Sequence, residues 1–160
     1  MAALKVLSLA AATGRVAYVY LIGDRLVDWR ISDKASVSAV EAANAARRWI
    51  DVLRPDVIVT EQTDKAAKKS LHTKDLIDAI AKVAEEVPLL AVRVEREHPY
   101  PNKYAEAAAL AVLYPDLQPW VPKPRRFFDN EHRNTVLFEA LALAQSVLRN
   151  PTPALVRAMG

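Results

Sequence analysis

Residues 4–31 read LKVLSLAAATGRVAYVYLIGDRLVDWRI, and the fold is decided by how this stretch divides. Leu4 to Leu9 is a short apolar run, and Arg15 to Ile22 and Leu26 to Ile31 are rich in β-branched and aromatic residues. The pairs Thr13-Gly14 and Gly23-Asp24 punctuate them with tight-turn chemistry. Three strands joined by such short turns form an antiparallel meander. The N-terminal run passes straight into the second strand pattern and carries only Lys5 as a basic residue. It therefore reads as a buried strand, not a signal peptide.

Beyond the meander, the period changes from strand to helix. Ser38 followed by Glu41 makes a capping box, and Ala39, Ala42, Ala43, Ala46, Trp49, Ile50 and Leu53 repeat at helical spacing until Pro55. Asp56 to Thr60 (DVIVT) is too apolar for a solvent-facing strand and reads as a buried one, reached by a crossover to a parallel neighbour. A second helix carries Leu76, Ile77, Ile80, Val83, Ala84 and Val87, and Pro88 stops it before the strand Leu89 to Val94. Asn102 caps a third helix, with Ala105, Ala108, Ala109, Val112 and Leu113 as its expected stripe. Pro115 to Pro124 holds four prolines and is expected to be an irregular connector. The last helix, Glu131 to Leu148, carries apolar residues on two faces and is expected to be buried on both. Residues 1–149 form one domain in this reading, and 150–160 a fraying tail.

Composition narrows the function. A chain of 160 residues with 52% hydrophobic and 26% charged side chains can bury one core without staples. The absence of cysteine excludes disulfides, thiolate metal sites and cysteine nucleophiles. Three glycines form no phosphate-cradling loop, the serines no nucleophile elbow, and His72, His98 and His132 lack ligand spacing. No apolar run approaches the roughly 20 residues of a bilayer span, so no membrane partner and a cytoplasmic location are expected. The net charge of +3 permits a polyanionic partner without demanding one.

Three local matches, in this order of elements, resemble the ribonuclease H-like superfamily and within it the RuvC-type Holliday junction resolvases. Arg54-Pro55-Asp56-Val57-Ile58-Val59-Thr60-Glu61-Gln62 is similar to the segment in which an apolar strand ends in a catalytic Glu followed by Gln. Asn102-Lys103 looks like the helix start whose lysine contacts nucleic-acid backbone. Phe138-Glu139-Ala140-Leu141-Ala142-Leu143-Ala144 looks like the last helix, where a catalytic Asp precedes an Ala-Leu-Ala run. The resemblance spans roughly residues 4–148. It implies an α/β, ribonuclease H-like fold with a mixed five-stranded sheet, three strands antiparallel and then two parallel, flanked by helices.

The resemblance also implies nucleic acid, most naturally DNA, as partner, and Mg²⁺-dependent phosphodiester hydrolysis by carboxylates converging on a metal pair. Glu61 and Glu139 are the catalytic and metal-ligand candidates that match it. The first strand, however, has Ala10 or Ala11 where an Asp is expected, and Val136 stands where the resolvases place another acidic or polar ligand. Asp129 is a substitute ligand candidate, as is Glu131, although Glu131 lies about 12 Å from Glu139 along a helix axis. Nucleic-acid-binding candidates are Lys65, Lys68, Lys69, Lys74 and Lys103, with Arg125 and Arg126 beside Phe127 and Phe128. These cations form either a rim for phosphates or an ordinary solvated face.

The implied function is a resolvase-like nucleic-acid-binding protein with lost or reduced nuclease activity, needing no cofactor. Two alternatives stay open. One is an active Mg²⁺-dependent, structure-selective endonuclease with substitute carboxylates. The other is a structural homodimer joined through the two-faced last helix or the Phe127-Phe128 patch, with no nucleic-acid role.

Overall fold

A computed structural model describes residues 3–64, 69–97, 99–123 and 132–158. Its strands are β1 (Lys5–Ala12), β2 (Arg15–Ile22), β3 (Arg25–Ser32), β4 (Val57–Glu61) and β5 (Leu90–Val94). They form one sheet in the order β3-β2-β1-β4-β5. β1 pairs antiparallel with β2, and β2 with β3, through the two-residue turns expected from the sequence. Gly14 and Gly23 take φ of +79° and +64°, backbone that a side chain would strain, which is why both turns carry glycine. β4 lies parallel to β1, and β5 parallel to β4. The mixed five-stranded sheet is thus the one the element order implied.

The helices are α1 (Ala39–Leu53), α2 (Leu71–Glu86), α3 (Lys103–Leu113), α4 (Thr135–Arg149) and α5 (Pro153–Ala158). Side chains alternate across β1, so the sheet has two buried faces. Leu7, Leu9 and Ala11 pack with α1 and α2 through Ala42, Trp49, Ile77 and Ile80. Val6 and Ala10 pack on the other side with α3 and α4 through Leu110, Val136, Ala140 and Ala144. Ser8, wholly buried on β1, donates from its Oγ to the Ala140 carbonyl at 2.7 Å, tying the central strand to α4 beside Glu139. No helix among the described residues is long and apolar enough to cross a membrane.

The expected caps are in place. Ser38 Oγ accepts from Glu41 N at 3.1 Å, and Asn102 Oδ1 accepts from Tyr104 N at 3.0 Å and Ala105 N at 2.9 Å. Asn102→Ala strips both acceptors from the α3 terminus and is expected to cost about 1 kcal/mol in denaturant unfolding, with Asn102→Ser close to neutral.

Three local expectations are corrected. The face α3 buries is Glu106, Ala107, Leu110 and Ala111, while Val112 and Leu113 are exposed. The helix is apolar nearly all round, so its periodicity was ambiguous, and the buried Glu106 could not be counted as core without sight of its partner. The proline-rich connector contains a 3₁₀ turn, Pro115–Trp120, because proline's fixed φ suits a tight helical start. The tail forms α5, with Thr152 Oγ1 accepting from Leu155 N at 3.2 Å and Leu155 wholly buried in the core. Proline in its first turn, where no N–H is needed, starts a helix as readily as it breaks one.

Candidate functional site

The carboxyl ends of β1 and β4 lie side by side at the centre of the sheet, where the chain leaves in different directions. Such switch points are where open α/β sheets leave a crevice for ligands. The β1–β4 register pairs Val6 with Val57 and Ser8 with Val59. Carried two residues further, it sets Ala10 level with Glu61 on the face that meets α4. Ala11 belongs to the opposite face, against α1 and α2. Of the two alanines, Ala10 is therefore the one on the face of Glu61, and its methyl group offers no ligand.

α4 crosses this face with Glu139 one residue before Ala140, the residue held by Ser8. Between Glu61 and Glu139 stands an ammonium group. Lys69, two residues before α2 begins, donates from Nζ to the Ala11 carbonyl at 2.7 Å, pairs closely with Glu139 Oε1 and lies 3.4 Å from Glu61 Oε1. The side chains are 16% (Lys69), 3% (Glu61) and 18% (Glu139) exposed. Burial pushes the Glu61 carboxyl above its ordinary range; the charge of Lys69 works against that shift, and the charge of Glu139 adds to it.

Two arginines frame the pair. Arg93 on β5 donates from Nε and Nη2 to the Glu61 carbonyl at 3.2 and 2.9 Å and pairs with Asp78 at 2.8 Å, clamping the end of β4 to α2. Arg96 grips Glu106 of α3 with both ends of its guanidinium, one of the bonds at 3.0 Å, and donates to the Glu97 carbonyl at 2.8 Å. Burial opposes the Arg96 charge, but the bonds to Glu106 and the charges of Glu106, Glu139 and Glu61 outweigh it and raise its pKa. Glu106 was missed in the sequence. The available signal was an acid inside an otherwise small and apolar helix, with Arg96 shortly upstream.

Among the remaining candidates, Lys74 is half-buried in the first turn of α2 and Lys103 is exposed at the first residue of α3. Lys69 faces the acidic pair. Lys65, Lys68, Arg125, Arg126 and Asp129 lie outside the described residues, as do Glu131, Phe127 and Phe128. His72 Nε2 is 2.9 Å from the Ser36 carbonyl, and His132 Nδ1 accepts from Asn134 N at 3.1 Å; both are local structural contacts.

The described residues as they stand do not gather the ligands of a Mg²⁺ pair. Among the described residues, no three His, Asp or Glu side chains converge to hold a metal. The point at which Glu61 and Glu139 meet is filled by a tethered cation, and Val136, one turn before Glu139, is wholly buried in the core.

No protein-family model matches the chain, and no curated protein matches it at a significant level. Solved structures do. RuvC of T. thermophilus in complex with a Holliday junction substrate is similar over 92% of this chain and 96% of its own, with 13% identity and a TM-score of 0.56. The Fowlpox virus resolvase in complex with Holliday junction DNA is similar over 91% and 97%, with 13% identity and a TM-score of 0.59. The yeast mitochondrial Holliday junction resolvase Ydc2 is similar over 92% and 78%, with 11% identity and a TM-score of 0.50. At such identities the likeness is one of fold: the protein has the ribonuclease H-like fold of the RuvC-type Holliday junction resolvases.

Proposed function

We propose that this protein is a DNA-binding relative of the junction resolvases that has given up phosphodiester cleavage. The observation that carries the reading is the composition of the centre: Ala10 beside Glu61 where a third acid is needed, and Lys69 between Glu61 and Glu139. Two-metal hydrolysis needs enough negative charge to hold two dications about 3.5–4 Å apart against their repulsion. Two glutamates, already engaged by an ammonium group, supply too little. DNA as partner is supported by the shared fold, since two of the similar proteins are seen on Holliday junctions. It is supported too by Lys74 and Lys103, which open α2 and α3 at the carboxyl edge of the sheet. Lys65, Lys68, Arg125 and Arg126 remain further phosphate-contact candidates in this proposal, in which the protein works in the cytoplasm, without a cofactor.

Fluorescence anisotropy with labelled four-way junctions and duplexes tests the reading. Binding is expected to persist in chelator and to weaken steeply with salt, each neutralised phosphate adding about 0.9 to the log–log slope. Lys103→Ala and Lys74→Ala should each lower that slope by about 0.9 and weaken binding to all sequences alike, the mark of a phosphate contact. Absence of binding to either substrate at low ionic strength would remove the nucleic-acid role and favour a structural homodimer.

A further inference from the structure

We propose that the outer edge of β3 is a pairing surface for a second copy of this chain and that Asp28 keeps it closed. This surface lies two strands away from the acidic centre, and its pairing does not depend on nucleic acid. Among the described residues no strand lies beyond β3, an edge strand of eight residues. Such an edge presents unpaired backbone groups to any strand that can lie against it.

Strand geometry identifies the groups in question. Ile22 and Arg25 face each other across the Gly23-Asp24 turn and bond to one another there, so the backbone polar groups of Leu26 turn outward. A register shift between Tyr20 and Leu21 leaves Val27 without an opposite residue, and beyond this bulge the outward position falls on Trp29. Its N–H is already engaged, because Asp28 Oδ1 accepts from it at 2.8 Å. The other oxygen, Oδ2, accepts from the Tyr18 hydroxyl at 2.7 Å, and Tyr18 is only 4% exposed. Burial, that bond and the Asp28 charge all push the Tyr18 pKa up, which keeps the phenol a donor. The carboxylate is thus held from the core and blocks the edge.

The sequence of β3 favours its own copy as partner. Antiparallel pairing about a two-fold axis at Trp29 joins the two Trp29 backbones directly, through the N–H that Asp28 now holds. It sets Val27 opposite Ile31 of the second copy and Arg25 opposite its Asp33, and both pairs recur on the other side of the axis. Val27 is 43% exposed, and Arg25 and Asp33 are at the surface, where Asp33 also meets Arg133.

Sedimentation equilibrium of the full chain at about 10⁻⁵–10⁻⁴ M, where a small interface becomes populated, tests the proposal with Asp28→Ala and Tyr18→Phe/Asp28→Val. The second variant removes both partners of the buried bond together and so leaves no orphaned group in the core. Each should reach twice the mass of the wild type. Asp28→Asn, whose amide still meets the Trp29 N–H and the Tyr18 hydroxyl, should keep the wild-type mass. Asp28→Ala/Arg25→Glu sets like charges opposite Asp33 and should return to it. In the wild type, the Trp29 amide should exchange its hydrogen about fivefold or more slowly than in an open chain, the protection of one hydrogen bond. A wild-type Trp29 amide that exchanges as freely as in the unfolded chain overturns the proposal. So do folded open-edge variants that keep the wild-type mass, or a doubling that persists with Arg25→Glu.

Discussion

Lys69→Met is expected to destabilise the fold by about 3–5 kcal/mol at neutral pH, the usual result of removing one partner from a buried ionic group. Methionine keeps the length and packing of the stem, so the loss reports the charge. Glu61 and Glu139 are left facing each other with no cation between them, and Glu61 is almost wholly buried. The sign of the pH dependence follows. In the wild type, burial already holds the Glu61 carboxyl above its ordinary value of 4.5, and Lys69 restrains the shift. Without Lys69 it rises further, so the folded protein keeps a proton that the unfolded chain releases. Stability is therefore greatest below the ordinary carboxyl pKa and falls as pH rises through the folded-state pKa. Urea unfolding of Lys69→Met at several pH values should show the deficit growing from mildly acidic to neutral conditions. Lys69→Met/Glu61→Gln should recover most of it and flatten the pH profile. A pH-independent deficit in Lys69→Met would mean that the lost hydrogen bond to the Ala11 carbonyl matters and the ionisation of Glu61 does not.

Glu106→Ala should cost a similar amount, again about 3–5 kcal/mol, for the converse reason. The Arg96 and Glu106 side chains are 14% and 7% exposed, and the two-pronged contact between them joins the segment after β5 to α3. Truncating the acid leaves the guanidinium buried without its carboxylate partner, the Glu97 carbonyl still accepting from it. Arg96→Met/Glu106→Leu replaces both charges with apolar groups of similar size and should sit much nearer the wild type, since apolar substitutes often match a buried ion pair. Chemical denaturation of the two single variants and the double variant closes the cycle. A double variant as unstable as the sum of the singles would show that the pair is not coupled.

Most of the architecture was legible because local signals agreed with one another. Two turn glycines, the Ser38 cap and an abrupt change from strand to helical period leave few ways to arrange residues 4–61, and the sheet follows. The candidate site could be read where a carboxylate interrupts an apolar element, as with Glu61 at the end of β4 and Glu139 within α4. It was illegible where the function of a charge depends on what it faces. Lys69 lies in a run of lysines that reads as a phosphate rim, and only the fold turns it inward onto two glutamates. Glu106 was missed for the related reason that a buried carboxylate is stable only with its partner, and Arg96 is ten residues away in the segment after β5. The choice between Ala10 and Ala11 likewise needed strand register, because neighbours on a strand face opposite sides of the sheet.

The most direct test of the central claim, a resolvase fold whose acidic centre no longer supports cleavage, is a cleavage assay on the unmodified full chain. A labelled four-way junction is incubated with excess protein in Mg²⁺ and in Mn²⁺, beside a chelator control and Glu61→Gln, and the products are resolved on a denaturing gel. The account predicts that the junction is bound and stays intact, with no difference between metal, chelator and variant lanes. Metal-dependent incision by the wild type that disappears in Glu61→Gln would contradict it and establish an active endonuclease with substitute ligands.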